Sequence, residues 1–158
     1  MDIALSINKA YVYDAVAETT EYTGFKMLSD ESAYERISTT DEDRSILEHF
    51  WADAAGIATT QLKPFLISVN NHPVSHSVEL ANNYDVQLKL PSSFDVALVD
   101  SIQTSLFNFF VSHIVSKWYI FTNKAEAESY ALDAQSKIKD AMSKIYHRKR
   151  PLRPTFTA

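Results

Sequence analysis

Residues Leu90–Phe121 read LPSSFDVALVDSIQTSLFNFFVSHIVSKWYIF, and this stretch decides how the rest of the chain is read. After Pro91 it runs for about seven turns without a helix breaker. Ser92 and Asp95 stand three apart ahead of the apolar run, which is the spacing of a capping pair. Val99, Ile102, Leu106, Phe109, Phe110, His113, Ile114, Lys117, Trp118 and Phe121 then step in threes and fours along one side of a helix. Ser101, Ser105, Asn108, Ser112 and Ser116 line the other side. A back made of small, weakly polar residues suits the close approach of another helix better than open water. At ~1.5 Å per residue, Phe94–Phe121 spans about 42 Å. The helix therefore asks for a partner, and Phe107, Phe110, Trp118 and Tyr119 are its candidate interface anchors, because buried aromatic side chains dominate interface energetics.

Length within this stretch is not enough to make it a membrane span. A span needs ~20 mostly apolar residues, whereas Leu98–Phe121 is interrupted by Asp100, Gln103, Asn108, His113 and Lys117. The N-terminal MDIALSINKAYVYD has neither a basic start nor a continuous apolar core, so no signal peptide is expected.

Outward from that helix, the chain continues with the same kind of signal. Asn123 and Glu126 cap a following helix, Lys124–Tyr146, with Tyr130, Ala134, Ile138, Ala141, Met142 and Ile145 on its buried stripe. Upstream, Thr40 and Asp43 form a capping box, and Asp41, Glu42 and Asp43 occupy the first turn, where the helix dipole favours anions. Ile46, Leu47, Phe50, Trp51, Ala54, Ile57, Ala58 and Leu62 follow at helical spacing until Pro64 stops them. Ile7–Tyr22 reads as the first helix, capped by Asn8 or Ser6, with Ile7, Tyr11, Val12, Ala15 and Val16 near one face. Thr23–Thr40 is a polar connection with at most a short turn at Ala33–Ile37.

A β pattern lies between the second and third of these helices. Phe65, Ile67 and Val69 alternate with polar or opposite-facing residues. Val78 and Leu80, then Val86, Leu88 and Leu90, alternate on either side of Asn82-Asn83. A three-residue loop, Asn82–Tyr84, pairs Leu80 with Val86 and Val78 with Leu88 and keeps one face apolar. The expected fold is thus mainly α with a small antiparallel β-hairpin, an α+β domain of about four helices, two of them long. One domain covers residues 1–146, with the hairpin at about 65–90, and an extended basic tail covers 147–158, where Pro151 and Pro154 forbid helix.

Composition agrees with this organisation. The chain has 158 residues, enough for one domain with a sizeable core. Two glycines in the whole chain argue against phosphate-cradling loops, which need several. The absence of cysteine excludes disulfides, thiolate metal sites and cysteine nucleophiles. The net charge of -5 hides a polarity. Between Asp14 and Asp53 the acids are Asp14, Glu18, Glu21, Asp30, Glu31, Glu35, Asp41, Glu42, Asp43, Glu48 and Asp53, against Lys26, Arg36 and Arg44. From Lys137 onward the bases are Lys137, Lys139, Lys144, Arg148, Lys149, Arg150 and Arg153, against Asp140 alone. In a ring, the basic end of one subunit can meet the acidic part of a neighbour. Arg148, Lys149, Arg150, Arg153 and the aromatic Phe156 of the tail are therefore interface candidates as well.

Catalytic chemistry finds no foothold. There is no G-x-S-x-G elbow. His72 and His76 flank Pro73, with Glu79 nearby, but a zinc site needs three or four converging ligands. His113 on an apolar helix face reads as a satisfied core histidine. No cofactor, metal or catalytic residue is assigned, and an enzyme is not expected. The tail can touch phosphates without specificity, but the chain is acidic overall and carries no recognisable reader module.

The acid-capped helix TTDEDRSILEHFWADAAGIATTQL, the short β segment, the Leu-Pro that leads the long helix and its SKWYIFT ending come in a recognisable order. Over roughly Thr39–Thr122 this order resembles the head–tail connector, or adaptor, proteins of long-tailed bacteriophages. Their pattern has an acidic D-D-x-x-I/L helix start and a Leu-Pro-led helix ending in a His-Trp-Tyr-like motif, here Lys117-Trp118-Tyr119. The hairpin Val74–Leu90 and the long last helix with its tail exceed the minimal pattern, which leaves another neck part, a stopper or tail-completion protein, open beside the connector. The resemblance implies a virion structural protein made in the host cytoplasm. It implies a homo-oligomeric ring, commonly of twelve copies, docked between the portal protein and the next neck or tail protein. Such a ring continues the DNA channel and can contact DNA non-specifically. A small helical protein-binding regulator is the alternative from another class.

Overall fold

The computed structural model describes residues 1–27, 31–70 and 82–154. The chain opens with a strand, β1 (Asp2–Asn8), in which Ile3, Leu5 and Ile7 point inward while their neighbours face out. This is the period of two that a half-buried strand requires. Ile7 therefore belongs to the strand and not to the first helix. Asn8 ends β1 and caps α1 (Lys9–Lys26), its side chain accepting from the Tyr11 amide at 3.1 Å. The buried stripe of α1 is Val12, Val16, Thr20 and Gly24, and Tyr11 faces solvent, opposite to the expected placement.

A one-turn helix, α2 (Ala33–Ile37), packs across the end of α1. Gly24 permits that crossing: a Cβ there would sit 2.7 Å from the Tyr34 Cα. Thr40 and Asp43 form the expected capping box, with the Thr40 amide donating to Asp43 Oδ2 at 2.8 Å. It opens one 3-10 turn, Asp41–Asp43, ahead of α3 (Arg44–Leu62). Pro64 lies in a second 3-10 turn that leads into β2 (Leu66–Val69).

The sheet differs from the expected hairpin. β3 (Asn83–Lys89) is the middle strand of three, in the order β1-β3-β2, and is antiparallel to both neighbours. Val86 pairs with Leu5 on one side and Val69 on the other, and Leu88 pairs with Ile3 and Leu66. Both hydrogen-bonding edges of β3 are filled, so the expected Leu80–Val86 and Val78–Leu88 pairings have no edge to use. Asn83 and Tyr84, expected in a loop, lie in the ladder opposite Asn8 and Ile7. Val78 and Leu80 themselves lie outside the described residues. In β2 a register shift between Leu66 and Ser68 breaks the expected Phe65–Ile67–Val69 face. Leu66 and Val69 turn toward the core and Ile67 is exposed, as a bulge reverses side-chain parity.

The long helix starts later than expected. Asp95, not Ser92, is the cap: its side chain accepts from the Ala97 amide at 3.1 Å. A 3-10 turn, Val96–Leu98, then leads into α4 (Val99–Thr122), which is about 36 Å long at ~1.5 Å per residue. α5 (Lys124–Tyr146) has the expected bounds, although Asn123 supplies its carbonyl to Glu126 N at 3.1 Å and not a side-chain cap.

α4 is the axis of the fold. α1, α3 and β1 pack on one side of it and α5 packs along the other. At its middle, Phe110 stacks against Trp51 of α3, with ring centroids 4.7 Å apart, and against Tyr84 of β3 at 5.3 Å. Tyr13 of α1 meets Trp51 edge-on, and the Tyr84 hydroxyl lies 2.8 Å from Thr59 Oγ1. The buried side chains run as one core from Ile3 to Ile145. Among the described residues, no helix is long and apolar enough to cross a membrane.

Candidate interaction surface

The partner that α4 asks for is in its own chain. Phe110 and Tyr119 are fully buried, Trp118 is nearly so, and Phe107 is half-buried against the core. Trp118 donates its indole N–H to the Ile37 carbonyl at 2.6 Å, holding α2 onto the fold. Tyr119 meets Tyr130 of α5 edge-on at 5.2 Å, and burial pushes its hydroxyl up to about 12. Phe110, Trp118 and Tyr119 are therefore core residues and not exposed anchors. This reverses their expected role, since a side chain without accessible surface has nothing to offer a second molecule.

The Ser-lined back of α4 is the seam with α5. Ser105 Oγ donates to Asp140 Oδ2 at 2.6 Å and Ser112 Oγ to Asp133 Oδ2 at 2.5 Å. Lys144 completes the first pair, 2.6 Å from Asp140. The Lys144 ammonium, then the Ser105 hydroxyl, hold the Asp140 carboxyl below the usual carboxylate range.

His113 lies where α3, α4 and α5 approach one another. Its Nε2 is 2.5 Å from Asp53 Oδ2. Burial pushes the imidazole below its ordinary 6.5 and outweighs the opposing pull of the Asp53 hydrogen bond and charge. It borders a groove of about 580 Å³ floored by Ile57, Phe109, Ile120, Ala134 and Ile138, with Lys117, Glu128 and Lys139 along its walls. The adjacent hydroxyl, Ser116 Oγ, donates to the His113 carbonyl at 2.7 Å and is not poised on the ring. The pair thus holds α3 against α4. On the sheet, a second hollow is lined by Ser6, Asn70, Asp85 and Gln103. Its polar atoms satisfy one another, with Asp85 taking Ser6 Oγ and Asn70 Nδ2, and Gln103 Oε1 taking the Ser6 amide. His72, His76 and Glu79 lie outside the described residues. No group of three or more His, Asp or Glu side chains converges among the described ones.

The exposed apolar surface is elsewhere. On α1, Tyr11, Tyr22 and Phe25 are 67%, 63% and 67% exposed, and they share an outward stripe with Asp14 and Glu18. Phe25 stacks on Tyr34 of α2 at 4.5 Å, extending the stripe onto a second element. Sequence reasoning missed these residues. Their signal was present, because 11, 14, 18, 22 and 25 form a helical row beside 12, 16, 20 and 24. The inner row holds the smaller side chains.

The tail starts tethered and is exposed from Lys149 to Pro154. Arg148 Nη1 donates to the Ile145 carbonyl at 2.7 Å, its backbone bridges Phe94, and Lys149 N donates to the Ser93 carbonyl at 2.8 Å. Beyond that point Arg150 and Arg153 are exposed and Leu152 is 96% exposed. Among the described residues no carboxylate pairs with Lys149, Arg150 or Arg153. Phe156 lies outside the described residues. No family model, curated protein or solved structure matches the chain.

Proposed function

We propose that this chain is a non-enzymatic virion structural protein, a head–tail connector that assembles into a ring in the phage neck between the portal and the tail. The observation that carries the reading is the pairing of two unlike exposed surfaces on one chain, an aromatic and acidic stripe on α1 and a basic, proline-held tail. A closed ring needs such unlike patches, because its interface is heterologous and each copy offers a different face to each neighbour. The helix order and the Leu-Pro and Lys-Trp-Tyr motifs of Thr39–Thr122 add the resemblance to connectors. A stopper or tail-completion protein of the same neck would use the same surfaces in another layer.

Native mass measurement and negative-stain microscopy with a cognate portal protein test the proposal. Rings, or portal-bound rings, are expected, and a monomer that ignores the portal overturns it. The groove between α3, α4 and α5 favours a second reading, a helical regulator that takes an apolar partner segment there. Truncating Pro151–Ala158 separates the two: the connector loses docking with its fold intact, and the regulator is unaffected.

A further inference from the structure

The tail and the far half of the α1 stripe, Tyr22 and Phe25, sit at opposite ends of α4. Thr23 lies beside the Tyr119 hydroxyl, Arg36 Nε reaches the Thr122 carbonyl and Trp118 reaches Ile37. Tyr22, Phe25 and Tyr34 are thereby placed at the C-terminal end of α4. The tail departs at the other end, where Lys149 is tied to Ser93. From Val99 to Tyr119 the helix rises about 30 Å at ~1.5 Å per residue. From Lys149 to Arg153 a fully extended chain covers only about 14 Å. The basic residues of a tail cannot reach the far half of their own stripe.

We infer that Lys149–Pro154 of one copy docks on the Tyr11–Phe25 stripe of a second copy. The chemistry matches. Asp14 and Glu18 face outward between Tyr11 and Tyr22, so arginines laid along the stripe meet carboxylates and ring faces alternately. Leu152, the most exposed apolar side chain described, finds apolar cover beside Tyr22 and Phe25. Dimensions match as well. Lys149–Pro154 in a polyproline-type conformation spans about 16 Å at ~3.1 Å per residue, and Tyr11–Tyr22 on α1 rises about 16 Å at ~1.5 Å per residue. Prolines at 151 and 154 lower the ordering cost of an extended segment on docking. The contact is head-to-tail, so it supplies one lateral joint of the ring and rests on the connector reading only in requiring that copies meet this way.

Because the chain has no cysteine, an introduced thiol is the only one present. Full-length Glu18→Cys and Leu152→Cys proteins, prepared separately and mixed under mild oxidation, are expected to give mainly the mixed disulfide dimer. Adding Arg150→Glu and Arg153→Glu to the tail variant should remove it. A mixed dimer no more abundant than the two homodimers, or one indifferent to charge reversal, overturns the inference. In sedimentation, Asp14→Lys/Glu18→Lys and Arg150→Glu/Arg153→Glu should each weaken self-association by on the order of tenfold. Mixing the two charge-reversed proteins should restore it, since a reversed tail then meets a reversed stripe. If tail reversal weakens association and stripe reversal does not, the tail docks on another face of the second copy, and the inference fails. Unchanged thermal melting of each surface variant shows that the fold is intact. A cross-linked pair that never binds a portal keeps this contact and sinks the connector reading. Portal-bound rings without the cross-link do the reverse.

Discussion

α4 and α1 are both long, aromatic-bearing helices, and they hide opposite halves of what they carry. α4 places Phe109, Phe110, Trp118 and Tyr119 inside the fold and leaves Asp100, Thr104, Ile120 and Phe121 exposed. α1 buries Val12, Val16, Thr20 and Gly24 and sends Tyr11, Tyr22 and Phe25 outward. The helix that looks most in need of a partner finds it at home, in α3, the sheet and α5. The helix with the plainer pattern is the one left with apolar surface to cover. A central helix can be covered on every side by its own chain, whereas a helix at the edge of the fold keeps one side exposed.

The comparison breaks most readily at Phe110. Phe110→Ala should cost about 3–5 kcal/mol, read as a large fall in melting temperature or urea midpoint. Tyr22→Ala on the outer stripe should shift stability by no more than ~0.5 kcal/mol while weakening self-association. Equal destabilisation at the two sites would erase the distinction between inner and outer aromatics.

The two glycines sharpen it next. Gly24→Ala drives a methyl into the Tyr34 backbone and should cost about 1–3 kcal/mol, as overpacking does. Gly56→Ala meets nothing within 4 Å and should stabilise α3 by about 0.5–1 kcal/mol. Adjacent residues at the end of α4 give a third contrast. Trp118→Phe removes the donor to a buried carbonyl and should cost about 1–3 kcal/mol. Tyr119→Phe should cost less, no more than ~0.5 kcal/mol, because the Tyr119 hydroxyl lies beside Thr23 without a well-formed hydrogen bond.

The smallest effect expected is on pH dependence. His113 is held below its ordinary 6.5 in the fold, so on acidification the unfolded chain takes up the proton first. Its contribution to stability is whole above about pH 6.5 and is lost as pH falls through and below that value. Melting curves across this range should show a slope that flattens in His113→Gln; an unchanged slope would mean that His113 is not the titrating group.

Some local signals are legible in the sequence, whereas the Ile7 and Ser92 assignments are not borne out. The Thr40–Asp43 box, the stop at Pro64 and the span of α5 depend on residues within a turn or two of one another, and such neighbours meet in any fold the chain adopts. The β reading failed where pairing is non-local. Ile3, Leu5 and Ile7 alternate, yet nothing near them names Leu88, Val86 and Tyr84, about 80 residues away, as their partners. A bulge at Ile67 then reversed the parity of β2, and one extra residue is invisible to an alternation count. Of the candidate surface, the basic tail was legible because prolines and charge act locally. The aromatic stripe was not, because a helix with residues of both characters on two faces does not declare which face the core will take.

By itself, the sequence determined that this protein is mainly helical, where α3 stops and where α5 begins and ends, that no cysteine chemistry operates, and that acid gathers toward one end and base toward the other. Each of these follows from composition or from contacts between near neighbours. Only the tertiary structure decided that β3 is a central strand, that Phe109, Phe110, Trp118 and Tyr119 of α4 are core, and that Tyr11, Tyr22 and Phe25 of α1 are surface. Those outcomes depend on which distant segments win the competition to exclude water from the same side chains, and burial is proportional to area removed from water whatever the order of residues along the chain.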